Sequence, residues 1–233
     1  MTAAGGRTDV RDPSTTTAPD NDAPSLLLPH DRFVDVLRPA ALFGNAHPCE
    51  VDVGCGKGRF LRARAATRPG VNFLGVDRMR GRMHKLDRKL VRDGLRNVRL
   101  VQLEAAYVVE RMLPPESVRA YYVFFPDPWP KRRHHRRRLF GPAFLDAVHR
   151  TLEPDGRIHV ATDHLDYFAT IRDVLEADPR FDETAAFEPA AEERTDFELI
   201  FAGQGKPIGR CSFRKRGALP PPGPAAHRRR RRP

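Results

Sequence analysis

Residues 124–138 read FFPDPWPKRRHHRRR and hold the densest chemistry in the chain. An apolar strand runs out at Phe125. Asp127 then sits between Pro126 and Pro128, and Trp129, the only tryptophan, follows. Proline fixes its own φ and restricts the residue before it, so the two prolines hold Asp127 at the end of the strand. Lys131 to Arg138 contains six Lys or Arg and two His. A fixed acid beside an aromatic plane and a cationic run suits a purine base on a phosphate backbone. A rigid turn followed by a solvated charge run explains the same residues, and this segment alone leaves the two readings even.

A second constellation is Val51-Asp52-Val53-Gly54-Cys55-Gly56-Lys57-Gly58, which follows a strand and opens a helix. Backbone N–H groups become available to a ligand at such a turn. A dinucleotide fingerprint G-x-G-x-x-G would need glycine at 59, where the chain has Arg59. That spacing, with no hydride-transfer constellation elsewhere, disfavours an NAD-dependent oxidoreductase. The observed G-x-G-x-G resembles the nucleoside loop of class I S-adenosylmethionine-dependent methyltransferases, whose ligand has no pyrophosphate to cradle. The next strand ends in Asp77, where an acid can accept both ribose hydroxyls. Glu104 follows the third strand, near the place of an adenine amino group, and Asp52 is close enough to face a positively charged methionine moiety. Taken singly, each acid reads as a cap or surface residue. Several in order at strand ends read as one cofactor cleft.

Strand-like and helix-like segments alternate between these motifs, the pattern of a mostly parallel α/β sheet. Strands are expected at Cys49–Val53, Asn72–Asp77, Val98–Leu103, Val118–Phe125 and Arg157–Thr162. Helices are expected at Arg59–Arg68, Met79–Asp93, Ala105–Leu113, Pro142–Leu152 and Leu165–Ala177. The stretch from Phe181 to Lys215 is expected to add two strands joined by a Gly-rich turn.

Bulk properties bound the class. A chain of 233 residues suits one α/β domain with a sizeable core. Its charge is +11, and the cations of Lys131–Arg138 and Arg228–Arg232 equal that whole excess. The basicity is therefore local, as on a polyanion-binding face. No apolar stretch reaches transmembrane length, and the polar N-terminus lacks a signal-peptide core. Three cysteines, Cys49, Cys55 and Cys211, form no C-x-x-C pair. The expectation is a reduced, cytoplasmic protein with no membrane partner and no metal; His134 and His135 lack partners at ligand spacing. Residues 1–25 and the Pro/Arg-rich stretch 216–233 are expected to be disordered, flanking a single domain over 26–215.

With FFPDPWPK, Ala161–Tyr167 (ATDHLDY) and Thr195–Glu198 (TDFE), the chain from about Cys49 to Lys215 resembles the bacterial tRNA (guanine-N7)-methyltransferase family. The resemblance implies a Rossmann-like, mostly parallel seven-stranded sheet flanked by helices on both faces. It also implies methyl transfer from S-adenosylmethionine to the variable-loop guanine at tRNA position 46. It places cofactor contacts at Asp52, Gly54, Gly56, Gly58, Asp77, Glu104 and Asp127, with Asp127 also the catalytic position. It assigns Lys131, Asp163, Thr195, Asp196, Phe197 and Glu198 to the nucleic-acid substrate. Asp163 alternatively caps the helix near Leu165. Trp129 either stacks on a base or plugs the core beneath its loop. The remaining cations of 132–138 and of the basic helix after Asp77 are expected to contact tRNA backbone. Three departures stand out: Asp52 and Glu104 occur where the family often has Glu and Asp, and Gly209 occupies a site expected to hold something larger. The rival readings are a class I methyltransferase acting on another RNA or small molecule, and a non-catalytic RNA-binding protein on the same scaffold.

Overall fold

A computed structural model describes residues 24–29 and 36–217. Its strands are β1 (Cys49–Val53), β2 (Asn72–Val76), β3 (Val98–Val101), β4 (Val118–Phe124), β5 (Leu152–Thr162), β6 (Phe181–Thr184) and β7 (Gly209–Lys215). Its helices are α1 (Pro39–Phe43), α2 (Arg59–Thr67), α3 (Arg80–Arg92), α4 (Ala105–Tyr107), α5 (Pro142–Thr151), α6 (Leu165–Glu176) and α7 (Asp196–Gly203). A π-helical turn, Val108–Met112, prolongs α4 and ends before Pro114.

One seven-stranded sheet has the order β3-β2-β1-β4-β5-β7-β6. The first five are parallel, and β7 runs antiparallel to both β5 and β6. Side chains alternate between the two faces, as a strand requires. Val51, Val53, Leu74, Val76, Tyr121 and Val123 join α5 and α6 in one core cluster. Phe73 and Leu100 pack with Leu61 of α2 and Met83, Leu86 and Leu90 of α3 in another. Helix α3 forms on that pattern, with buried residues spaced three and four apart and its charges turned to water.

Three details differ from expectation. Strand β5 begins at Leu152, because Asp155-Gly156 kinks the strand instead of preceding it: Asp155 sits at φ 61. Residues 24–29 add a short parallel bridge outside β3, with the Leu28 N–H donating to Leu100 O at 2.9 Å. The carboxylate of Asp87 accepts from the Leu26 N–H at 2.7 Å and secures this segment. The third detail is α7, which occupies part of the stretch expected to hold only strands and a turn. Thr195 is its N-cap, accepting from the Glu198 N–H at 3.0 Å. The segment T-D-F-E is thus a Ser/Thr-x-x-Glu helix start.

The flanking assignments 1–25 and 216–233 fall almost entirely outside the described residues.

The unexpected Gly209 has a local cause. A Cβ added there would lie 2.6 Å from the Phe168 ring, so Phe168 of α6 fills the space a larger residue would need. Gly209→Val is expected to destabilise by about 1–3 kcal/mol in urea titration. In a Phe168→Ala background the penalty should shrink, and equal penalties in both backgrounds would refute the exchange of volume.

Candidate active site

The parallel strands deliver their C-terminal ends to one edge, and the order reverses between β1 and β4. A crevice opens at such a switch point. Here it is a cleft of about 950 Å³ lined by the glycine loop, Asp52, Asp77, Glu104, Asp127 and Trp129, together with Thr195, Asp196, Phe197 and Ile200.

The glycine loop is pinned from below. The N–H groups of Gly54 and Cys55 both donate to Val76 O, at 2.8 and 3.0 Å. Gly54, Gly56 and Gly58 have φ of 80, 57 and 73, a region that side chains rarely adopt. At Gly58 a Cβ would also meet Leu86 Cδ1 at 2.2 Å, so the helix–helix approach independently requires glycine. Asp77 ties the loop to the next helix: it accepts from the Gly56 N–H at 3.0 Å and the Met79 N–H at 2.7 Å.

Asp52 is 5 % exposed, and its carboxyl is pushed up to about 8, first by burial and then by the charge of Asp77. Glu104 and Asp127 are exposed at the mouth, where Arg78 spans them, 3.7 Å from one and 3.9 Å from the other. The cleft is thus acidic at its floor, with an arginine across its entrance.

Asp127 sits in the loop Phe125–Trp129. Phe125 and Trp129 have φ of 54 and 42, so two non-glycine residues in the left-handed region bracket Pro126–Pro128. Such strain persists only where the surroundings over-determine it. Here the Phe125 N–H donates to Ala161 O at 2.7 Å. Arg138 Nε donates to Pro128 O at 2.9 Å, while its guanidinium lies 4.5 Å above the Tyr167 ring. The Arg137 guanidinium lies 4.9 Å from the Trp129 ring centre, and His134 meets that ring edge-on. Trp129 is half-buried and lines the cleft, so it does not plug the core.

The basic run therefore divides. Arg138 is half-buried as a brace, and Arg137, though exposed, lies over the Trp129 ring. Lys131, Arg132, Arg133 and Arg136 are exposed along the 3-10 turn Arg132–Arg137 and its preceding residue, Arg136 at the edge of the cleft. Of the other substrate candidates, Thr195, Asp196 and Phe197 reach the cleft and Glu198 does not. The Glu198 side chain is 5 % exposed, 2.5 Å from Arg210 and 3.6 Å from Arg194. Asp163 lies outside the cleft lining, with Lys206 at 3.8 Å. It does not cap α6: His164 is the N-cap, its Nδ1 accepting from the Tyr167 N–H at 3.2 Å. Among the described residues, no helix is long and apolar enough to cross a membrane.

A strand order reversing over a glycine loop, with acids at successive strand ends, defines a class I, Rossmann-like methyltransferase. Solved structures share this fold: the 16S rRNA methyltransferase KamB superposes with a TM-score of 0.55 at 16 % identity, over 77 % of this chain and 92 % of its own. A family model described as "Putative methyltransferase" matches residues 46–209. The tRNA (guanine-N(7)-)-methyltransferase of Halorhodospira halophila is 39 % identical over 75 % of this chain and 78 % of its own length. That of Burkholderia vietnamiensis is 38 % identical over 76 % of this chain and 71 % of its own. The chain belongs to the tRNA (guanine-N(7)-)-methyltransferase family.

The raised Asp52 carboxyl has a direct consequence. A group whose folded pKa exceeds its unfolded value contributes stability at low pH that is lost as pH rises through the folded value. Between the ordinary value of 3.8 and about 8, the ligand-free protein should lose stability with rising pH on account of Asp52. Melting temperatures across that window should fall more steeply for wild type than for Asp52→Asn; parallel profiles would contradict this assignment.

Proposed function

We propose that this protein transfers a methyl group from S-adenosylmethionine to N7 of the guanine at tRNA position 46. The observation that carries the reading is the braced loop holding Asp127 at the mouth of the cleft floored by the glycine loop. The cleft fits the cosubstrate on chemical grounds. Asp52 offers a buried carboxyl, raised by burial and by the charge of Asp77, whose ionised form a cationic methionine moiety would favour. Gly54, Gly56 and Gly58 open backbone to a nucleoside, Asp77 faces its ribose hydroxyls and Glu104 its adenine edge. S-adenosylmethionine supplies an activated methyl on a sulfonium.

Guanine N7 has an in-plane lone pair and no proton to lose. As the N7–carbon bond forms, the carbon–sulfur bond breaks and its electron pair stays on sulfur. Positive charge passes from sulfur to the base, so no general base is needed. The protein's task is alignment, which can supply about 7–11 kcal/mol in favourable cases. Asp127 accepts hydrogen bonds from guanine N1–H or N2–H₂, and its charge favours the cationic base that develops. Arg78 must leave Asp127 for this, which costs little, since exposed ion pairs contribute about 0–1 kcal/mol.

Thr195, Asp196 and Phe197 form the opposite wall for the base. Glu198 acts behind that wall, holding α7 through Arg210, and Lys131 and Asp163 serve the polymer outside the cleft. The exposed cations Lys131, Arg132, Arg133 and Arg136 grip phosphates together with the outward face of α3. A single domain over 26–215 with flanking segments 1–25 and 216–233, and a cytoplasmic setting, complete the proposal.

Asp127→Ala, assayed by label transfer to tRNA, should lower kcat by about 100-fold or more while leaving cosubstrate affinity within a few-fold. Near-normal turnover would refute the role. Binding of tRNA should also weaken with salt, with a log–log slope of about −0.7 to −0.9 per phosphate neutralised. A flat salt titration would argue against the polymer substrate.

A further inference from the structure

Helix α2 carries an arginine that neither the glycine loop nor the fold explains. Arg64 is 4 % exposed, and its guanidinium lies between the rings of Tyr122 and Phe187, 4.8 Å from each. It pairs with two buried carboxylates at 3.2 Å each, Glu50 of β1 and Glu193. Glu50 is satisfied besides, by the Tyr122 hydroxyl at 2.8 Å and Arg119 at 2.9 Å. For Glu193, Arg64 is the ion-pair partner among the described residues. One turn earlier on the same helix, Arg59 Nε donates to Arg194 O at 2.9 Å. Two arginines of α2 thus hold residues 193 and 194, immediately before Thr195, the cap of α7.

The location gives these contacts their meaning. Helix α2 has as its N-cap Gly58, the last glycine of the cofactor loop, and α7 supplies Asp196, Phe197 and Ile200 to the opposite wall. The glycine loop has anchors of its own in Val76 O and Asp77, so it does not need Glu193. The α7 wall is anchored on its other sides by Glu198 to Arg210 and Arg194 and by Phe197 and Phe201 against the Phe125 ring, at 6.1 and 5.6 Å. Among the described residues, only Arg59 and Arg64 tie the segment just before it to the cofactor-loop side.

We infer that Arg64 and Glu193 are a positioning pair that sets the α7 wall against the cofactor loop, so that alignment of the target base depends on them and cosubstrate binding does not. Neither residue touches the reacting atoms; both act through Thr195 and α7. Burying an ion pair is a poor way to gain stability compared with apolar packing. It is a good way to fix one register between two walls, because a displaced carboxylate would be left unpaired in a dry site.

The inference rests on the methyl-transfer reading, so wild-type activity on tRNA is measured beside each variant. Glu193→Gln keeps the shape and one acceptor oxygen while removing the charge. It should lower kcat/KM for tRNA by about tenfold or more, with cosubstrate Kd within about twofold by calorimetry. Unchanged kcat/KM, or equal losses in both quantities, would overturn the inference. If Glu193→Gln does not fold, Arg59→Gln decides: its side chain is exposed at the edge of the cleft, so the core stays intact. A loss of cosubstrate affinity matching the loss in kcat/KM would mark a direct cosubstrate contact and overturn the inference. The same split should appear, with the salt slope of tRNA binding unaltered. A slope reduced by about 0.7–0.9 would show a phosphate contact instead and overturn the positioning role. If wild type itself methylates no tRNA, the functional reading fails and this inference falls with it.

Discussion

Parallel strands finish on one edge of a sheet, and this chain places an acid at or beside four of those endings. Asp52 comes from β1, Asp77 follows β2, Glu104 follows β3 and Asp127 follows β4. Because the order reverses between β1 and β4, the connections leave on opposite sides and a crevice stays open between them. Everything proposed for the site depends on this convergence. It brings together acids far apart in sequence without any long side chain having to reach across the molecule.

The crevice is built against electrostatic preference. A carboxyl at the floor is driven toward its neutral form by burial and by Asp77, while a strained loop presents another acid at the rim. The strain of the loop is offset by a main-chain hydrogen bond to β5 and by Arg138. A site so arranged is preorganised for a ligand that brings positive charge with it. The methyl-transfer chemistry supplies such a charge at both stages, first on sulfur and then on the purine.

Much of this was legible in the sequence, for identifiable reasons. Strands β2 and β4 are largely apolar runs ended by an acid or proline, β1 sets two acids between apolar residues and stops at a glycine, and α3 shows its buried positions by spacing. The acids and glycines of the cleft were readable because they sit next to those endings. Other features were hidden. Helix α7 is apolar on several sides, and DFELIFAG shows no periodicity, although Thr195 and Glu198 carried a capping signal. Arg64 reads as one more helix cation, because nothing local reveals that Glu50 and Glu193 converge on it. Arg137 and Arg138 look identical to their neighbours in the basic run, and only tertiary structure sets one on the Trp129 ring and the other on Pro128 O. Gly209 is explained by Phe168, far away in sequence. Local chemistry was written locally; pairwise compensation was not.

The most direct test is calorimetric titration of the purified wild-type protein and of Asp77→Ala with S-adenosylmethionine. Wild type should bind one equivalent per cleft. Asp77→Ala should bind at least about tenfold more weakly, having lost both the ribose acceptor and the anchor of Gly56. Absence of binding by the wild type, or equal affinity in the two proteins, would contradict the account of the cleft.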